Sequence, residues 1–463
     1  MTEGATSPEA GVAQPSAERM GSGAERPGTG EAAGAVDRHH LSSWRTLVRS
    51  FAELSMGEII ARLMGFVALV TMTRRLGPVS FGVVTLGVTL VLWFKIIVDA
   101  GTETLNVRAI ARQPDRFKEI AGAVLGLRLC LSAVAIVLFL TAALPLASDS
   151  RWTLSLFALV LPVVAINLRF MVLGLRAAKG VALGNIAGQV LLAAGVLVFV
   201  RGPHESFVVP LLMAGGELAY GVVVVVFVAR RFGLSLPRID VPAWRSTLRG
   251  GLPLMVSQLA GSVVQSFNLF LVAALLGSYW TGVYGAAYKP LLFFATLMAL
   301  LGGSFLASYS AASPAQALEL FYRTTRLALV TSMVLAVALS IGSGLFLSTA
   351  FGSDYRAGAT ALSILAWFIP VTVLASTYGT VLIATDRQAL LMRHIVAAAL
   401  FNIGASVVAV FLAGISGAAA VTVLSHALVA FLNHRSCTRL GLAPSAREML
   451  SRAIAGNRRP WIP

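Results

Sequence analysis

The residues with the means to do chemistry are charges set inside long apolar runs. Six are basic: Arg62, Lys95, Arg128, Arg169, Lys289 and Arg326. Three are acidic: Glu58, Asp99 and Glu217. A charge at the centre of a membrane helix costs about 2.5–3.5 kcal/mol on insertion scales, so such residues mark packed ion pairs or functional sites. The basic surplus suits an anionic ligand, and Arg in particular matches phosphate by donating two parallel hydrogen bonds. Arg62, Arg128 and Lys289 are expected to face one cavity, with Lys95 and Arg326 as further anion ligands. Glu58, Asp99 and Glu217 are coupling or ion-pair candidates. Plainer roles stand beside these. Glu58 and Arg62 are four residues apart, as are Lys95 and Asp99, and each pair can close within its own helix. Arg169 and Arg326 lie near helix ends and can snorkel to headgroups. Arg128 sits deeper than snorkelling easily reaches. Glu217 follows Gly215-Gly216 and is either a protonatable coupling group or a packed neutral acid.

Other motifs are weaker. Gly250-Gly251 and Gly302-Gly303 are not followed by Gly-Lys-Ser/Thr, so they are packing glycines rather than phosphate loops. His394 and His426 read as packed residues. Cys130 falls in an apolar run and Cys437 in a C-terminal stretch expected to be cytoplasmic, so neither a disulfide nor a metal cluster is expected. No cofactor is implied, and neither H+ nor Na+ coupling follows from the residues.

The elements that hold these charges are membrane helices. Hydrophobic residues make up 57% of the chain and charged ones 12%, about half the charged share of a soluble domain. Apolar stretches near the ~20 residues of a bilayer crossing recur from Phe51 to Leu432. They do not alternate as barrel strands do: Val222 to Val226 is five valines in a row. Helices are expected at 54–73, 81–101, 120–144, 154–175, 181–200, 207–229, 252–276, 283–307, 327–350, 361–383, 391–411 and 418–432. The fold class is therefore an all-α integral membrane protein of about twelve transmembrane helices. The net charge of +16 would suit nucleic acid in a soluble protein. Here the bases flank the apolar runs, where anionic lipid headgroups are the expected partners and nucleic acid is not.

Basic residues concentrate in alternate loops. One set holds Arg108, Arg112, Arg116 and Lys118, then Arg176 and Lys179, then Arg230 to Arg249, then Arg387 and Arg393, then the C-terminal tail. The positive-inside rule puts these loops and both termini in the cytoplasm. Arg74 and Arg75 fall on the opposite side and disagree. In a background lacking Cys130 and Cys437, a cysteine at Pro242 should be blocked only by reagents that enter the cytoplasm. One at Ser278 should be labelled from outside. The reverse pattern would invert the topology.

An internal repeat relates the halves. Leu76-Gly77-Pro78-Val79-Ser80-Phe81-Gly82 matches Leu276-Gly277-Ser278-Tyr279-Trp280-Thr281-Gly282 at an offset of 200 residues. Arg128-Leu129 is matched by Arg326-Leu327, and Pro162 by Pro370 as span interruptions. Six helices per half is an even number, so this is a parallel repeat of two six-helix lobes with a site between them. The expected organisation is a disordered cytoplasmic tail at 1–50, lobes at 51–231 and 251–434, a cytoplasmic linker at 232–250 and a basic tail at 435–463.

The segments Arg62-Leu63-Met64-Gly65-Phe66, Arg75-Leu76-Gly77-Pro78 with Phe81-Gly82, and Gly282-Val283-Tyr284-Gly285-Ala286-Ala287-Tyr288-Lys289 resemble the polysaccharide (O-antigen type) flippases. That family belongs to the superfamily of multidrug, oligosaccharidyl-lipid and polysaccharide exporters. Ser304 to Tyr309 lacks the proline common near the end of the eighth helix in that family. The resemblance implies a flippase, not an enzyme. Its substrate would be a polyprenyl-diphosphate oligosaccharide crossing the cytoplasmic membrane, and other polysaccharide-assembly proteins would be its partners. Open alternatives are an exporter of small anionic compounds and a flippase of a lipid-linked peptidoglycan precursor. A membrane glycosyltransferase or polymerase would need an acidic metal motif or a long outer loop, and no Asp-x-Asp occurs.

Overall fold

A computed structural model describes the backbone of residues 29–143, 148–175, 177, 179–233, 236–311 and 314–442. Side chains are described for 59–143, 151–175, 177, 179–233, 236–294 and 325–442. The chain divides into two compact units, Met1–Arg49 and Ser50–Pro463. In the first, residues 1–28 of the tail expected to be disordered lie outside the described residues. From Thr29 the backbone is helical instead, over a stretch with strong helix formers such as Glu31, Ala32 and Ala33. Among the described residues, every apolar span lies in the second unit.

The helices are α1 (Thr29–Asp99), α2 (Thr102–Arg112), α3 (Phe117–Ala143), α4 (Ser148–Leu156), α5 (Val160–Ala165), α6 (Arg169–Gly174), α7 (Lys179–Phe199) and α8 (Val208–Arg231). The second half has α9 (Val241–Ala311), α10 (Pro314–Ala350), α11 (Ala359–Leu365), α12 (Phe368–Ala384) and α13 (Gln388–Arg439). Among the described residues there is no strand, and nine helical segments are apolar and long enough to cross a membrane. Three of them break once inside: α1 at Gly77, α9 at Gly277 and α13 at Ala413-Gly414. With each broken segment crossing twice, the traverses among the described residues number twelve, as expected.

Gly77 and Gly277 adopt matching backbone angles, φ 70°, ψ 172° and φ 82°, ψ −179°. A positive φ with extended ψ is open to glycine and strained for residues with a Cβ, so these two positions make the hairpins that reverse the chain. Five residues on, Gly82 and Gly282 bring the hairpins together. A Cβ at Gly82 would strike the carbonyl oxygen of Ser278, and one at Gly282 that of Pro78. The contact is reciprocal, as two repeats facing each other across an approximate two-fold require. Around it, the Tyr355 hydroxyl donates to the Thr73 carbonyl at 3.0 Å, and Phe81 meets Tyr355 edge-on at 6.2 Å. The two halves are closed at this end.

Arg74 and Arg75 have their explanation here. Arg74 Nε donates to Ala350 O at 2.8 Å, and its Nη2 reaches Thr349 O. Arg75 Nη1 donates to Leu197 O and Val200 O, both at 2.7 Å. They satisfy the orphan carbonyls at the C-termini of α10 and α7, where a cation also meets the helix dipole. Their charge thus has a role in the fold at the ends of two helices.

Pro162 and Pro370 interrupt their spans as expected. A 3₁₀ turn at Phe157–Leu159 precedes Pro162, and α11 ends at Leu365, one turn before Pro370. Each proline removes a hydrogen bond to the carbonyl four residues earlier. Two boundaries differ from expectation. Helix α9 begins at Val241, so half of the linker is helical. It is tied to α3 by Arg238 N to Gly122 O at 2.9 Å and Trp244 Nε1 to Ala123 O at 2.8 Å. Helix α13 runs on to Arg439, and Cys437 is buried beneath the carbonyl of Tyr378 rather than in a tail. Cys130 is exposed on the apolar surface.

Candidate functional site

Between the halves lies a cavity of about 720 Å³. One wall comes from α1, α2 and the helices up to α8, the other from α9. The charges lining it are Lys95, Arg128, Arg169 and Lys289 against Asp99, Glu103 and Glu217.

The acids and bases of the first half form a ladder. Lys95, Asp99 and Glu103 follow one another at intervals of four residues. Each pairs with a different helix. Lys95 Nζ meets Glu217 Oε1 of α8 at 2.7 Å. Asp99 Oδ1 pairs with Arg128 Nη2 of α3. Glu103 Oε1 meets Arg169 Nε of α6 at 3.1 Å. The expected pair of Lys95 with Asp99 is thus not formed. A base four residues before an acid is the less favourable order on a helix, and an acid at a helix C-terminus opposes the dipole. The backbone resolves this by turning at Asp99. Ala100 and Gly101 take positive φ values of 47° and 74°, α2 starts at Thr102, and Asp99 Oδ1 accepts from Glu103 N and the Thr102 hydroxyl at 3.1 Å each. Strain at a non-glycine residue of this kind costs on the order of 1–3 kcal/mol and persists where surrounding contacts over-determine it.

Arg128 is buried and its fork is committed. Besides Asp99, it donates to Thr102 Oγ1 at 2.8 Å and Asn167 O at 3.2 Å, with its guanidinium 4.9 Å from the Phe170 ring centroid. It joins α2, α3 and the break between α5 and α6. Its repeat counterpart, Arg326, is exposed on α10 and outside the cavity lining, so the two matched arginines have diverged in role. Arg169, for which snorkelling was the plainer reading, lines the cavity instead. Glu217, a coupling or ion-pair candidate, forms an ion pair with Lys95. Arg62 is half-buried on α1 and does not line the cavity, which corrects its placement beside Arg128 and Lys289. The side chain of Glu58 lies outside the described residues.

Lys289 stands apart. Its ammonium lies 5.0 Å over the ring of Phe81 from the other half. Among the described residues no carboxylate pairs with it, whereas pairing consumes the other three bases of the cavity. Among the described residues the cavity therefore carries one uncompensated positive charge, at the junction of the halves.

The second half contributes neutral polar groups. Gln258, Ser262, Gln265 and Ser266 of α9 line the cavity. Trp93 of α1 reaches across to them, donating to Ser266 Oγ at 2.8 Å and stacking on Phe267 at 6.5 Å. Deeper in this half, Asn268 and Tyr284 meet at Thr422, both at 3.0 Å. His394 contacts Asn433 at 2.8 Å and Ser436 at 3.2 Å, and His426 meets the Thr422 carbonyl. Both histidines are packed residues, and no group of three or more His, Cys, Asp or Glu among the described residues can hold a metal. Sequence reasoning missed Glu103 and the glutamines. The four-residue interval from Lys95 to Glu103 and the one-faced spacing of 258, 262 and 265 were the available signals.

The family model of polysaccharide biosynthesis proteins matches residues 47–306, more than half of the chain. Among curated proteins, none is significantly similar in sequence. Among solved structures, the fold matches an inward-facing conformation of a multidrug resistance MATE family transporter of the MOP superfamily. The TM-score is 0.63 at 16% identity, over 86% of this chain and 100% of that one. A MATE transporter in complex with MaD3S matches with a TM-score of 0.57 at 16% identity, over 86% and 97% of the two chains. A MOP superfamily transporter from Pyrococcus furiosus, noted for the reverse polarity of its binding pocket, matches with a TM-score of 0.53 at 15% identity, over 84% and 94%. At these identities the likeness is one of fold.

Proposed function

The chain belongs to the polysaccharide biosynthesis protein family and has the two-lobed fold of the MOP transporters; from that premise we propose that it flips a polyprenyl-diphosphate-linked oligosaccharide across the cytoplasmic membrane. The observation that carries the reading is Lys289, a cavity cation with no carboxylate partner among the described residues. An anionic diphosphate supplies the missing charge. Lys95 is the next cation within reach, since its pair with Glu217 keeps 31% and 27% of the two side chains exposed. The committed fork of Arg128 positions helices rather than substrate. Because Lys289 belongs to the second half and rests on Phe81 of the first, a headgroup bound there touches both halves. Rocking of one half against the other would then carry it from one side to the other. Both termini lie in the cytoplasm on this reading, and the partners are anionic lipids and other polysaccharide-assembly proteins.

Export of a soluble anion is the rival, since the same charge would serve it. Proteoliposomes holding the purified chain separate the two. A polyprenyl-diphosphate oligosaccharide in the outer leaflet should become protected from a leaflet-restricted glycosidase many-fold faster than in empty vesicles. Soluble organic anions should not accumulate. Accumulation of anions with no lipid flipping would replace this reading by the rival.

A further inference from the structure

Polar side chains on a membrane helix are costly against lipid and are placed instead where they face a cavity or a ligand. The apolar stretch of α9 carries Gln258, Ser262 and Gln265, spaced so that all three lie on one helix face. All three line the cavity. Gln258 and Gln265 are exposed to it. Among the described residues neither glutamine amide has a protein hydrogen-bond partner; the Tyr288 hydroxyl donates at 2.6 Å to the backbone carbonyl of Gln265, not to its side chain. That bond ties the two arms of α9 together beside Gln265 through the residue next to Lys289, and Gln265 and Lys289 both line the cavity. Gln258 then lies about 10 Å further along the helix axis, toward Gly251. Asn268, on another face of the same helix, is buried and donates from Nδ2 to Thr422 Oγ1 at 3.0 Å, while its Oδ1 has no partner among the described residues. On this face of α9 the two glutamine amides are left without a protein partner, whereas Asn167 across the cavity accepts from Arg169 N at 2.9 Å.

The chemistry of this wall is neutral. An amide offers both donors and an acceptor, and a serine hydroxyl does the same. Such groups suit hydroxyl and acetamido groups, which also donate and accept. They are poorly matched to a bare phosphate, which only accepts, and to an apolar drug.

We infer that the Gln258–Ser262–Gln265 face reads the saccharide of the substrate, while Lys289 holds its diphosphate. The inference rests on the flippase reading and assigns the sugar end of that same site. The sugars nearest the diphosphate run along α9 from Gln265 toward Gln258. The glutamines therefore set selectivity between saccharides, and the lysine sets affinity for the carrier.

The test compares two probes on the full chain in lipid nanodiscs: a polyprenyl diphosphate without sugar, and the same carrier bearing chitobiose. The double variant Gln258→Met/Gln265→Met keeps side-chain length and removes the amides. It should bind the chitobiose carrier about tenfold more weakly, as the loss of two or three hydrogen bonds implies. Binding of the sugar-free carrier should stay within about twofold. Should the double variant not be recovered, each single Gln→Met variant should show the same selective loss at a few-fold. Equal loss for both probes would make the glutamines structural, and no loss for either would make them bystanders; either result overturns the inference alone. If the unsubstituted protein binds neither carrier, the flippase reading fails and the assignment fails with it.

Discussion

Lys289→Met should nearly abolish flipping of the lipid-linked substrate while the protein stays folded and abundant. The two consequences have separate physical causes. The ammonium is the cavity's uncompensated charge among the described residues, so removing it deletes the strongest attraction a diphosphate finds there. A hydrogen bond to a charged group is worth about 1.5–3 kcal/mol, which is roughly a tenfold to hundredfold loss in affinity. Folding should not suffer. A desolvated charge without a counter-ion is a liability to the fold, and the substitution removes a cation–π interaction with Phe81 worth about 0.5–2 kcal/mol. Methionine fills nearly the same space and also packs against an aromatic ring. Lys289→Arg should keep part of the flipping. Flipping by Lys289→Met at the rate of the unsubstituted protein, measured in the same vesicles, would remove Lys289 from the site.

The second large effect concerns stability. Asp99→Asn should destabilise the protein by about 3–5 kcal/mol, because it leaves the Arg128 guanidinium buried and uncompensated. Only 5% of the Arg128 side chain is exposed, so water cannot take the place of the carboxylate. Asp99 also receives the Thr102 hydroxyl and the Glu103 amide, which anchor the start of α2. Removing both charges, in Asp99→Asn/Arg128→Met, should restore most of the loss, since the cost lies in the unpaired ion. Thermal unfolding in detergent reads both variants. An Asp99→Asn protein that melts like its parent would show that the pair holds nothing together. The same kind of substitution at Glu217, to Gln, should cost less, because the Lys95 pair is partly exposed and solvent screens it.

Much of this protein is legible in its residues. The twelve crossings come from length and hydropathy, and the structure keeps them. The hairpin glycines stand out by their 200-residue offset, and both carry the positive φ that their type permits. Lys95, Arg128 and Lys289 are expected as cavity bases and do line the cavity. The partners differ from expectation where a neighbour in sequence competes with a neighbour in space. Lys95 has Asp99 four residues away and pairs instead with Glu217 on another helix. Arg74 and Arg75 read as topological signals and serve instead as caps on distant helices.

The difference has a physical origin. Whether a segment crosses a membrane depends on that segment alone, because lipid obliges its backbone to bond internally. Where the chain must reverse is equally local, because only a residue without a Cβ takes the required angles easily. The sequence by itself therefore determined the class, the number of spans and the repeat. Which carboxylate meets which base depends on how several helices are rotated and packed, and one strained turn at Ala100-Gly101 is enough to send Asp99 to Arg128 and free Lys95 for Glu217. Only the tertiary structure could decide that these pairings leave Lys289 over among the described residues, since an unpaired charge is defined by where the neighbouring acids have already gone.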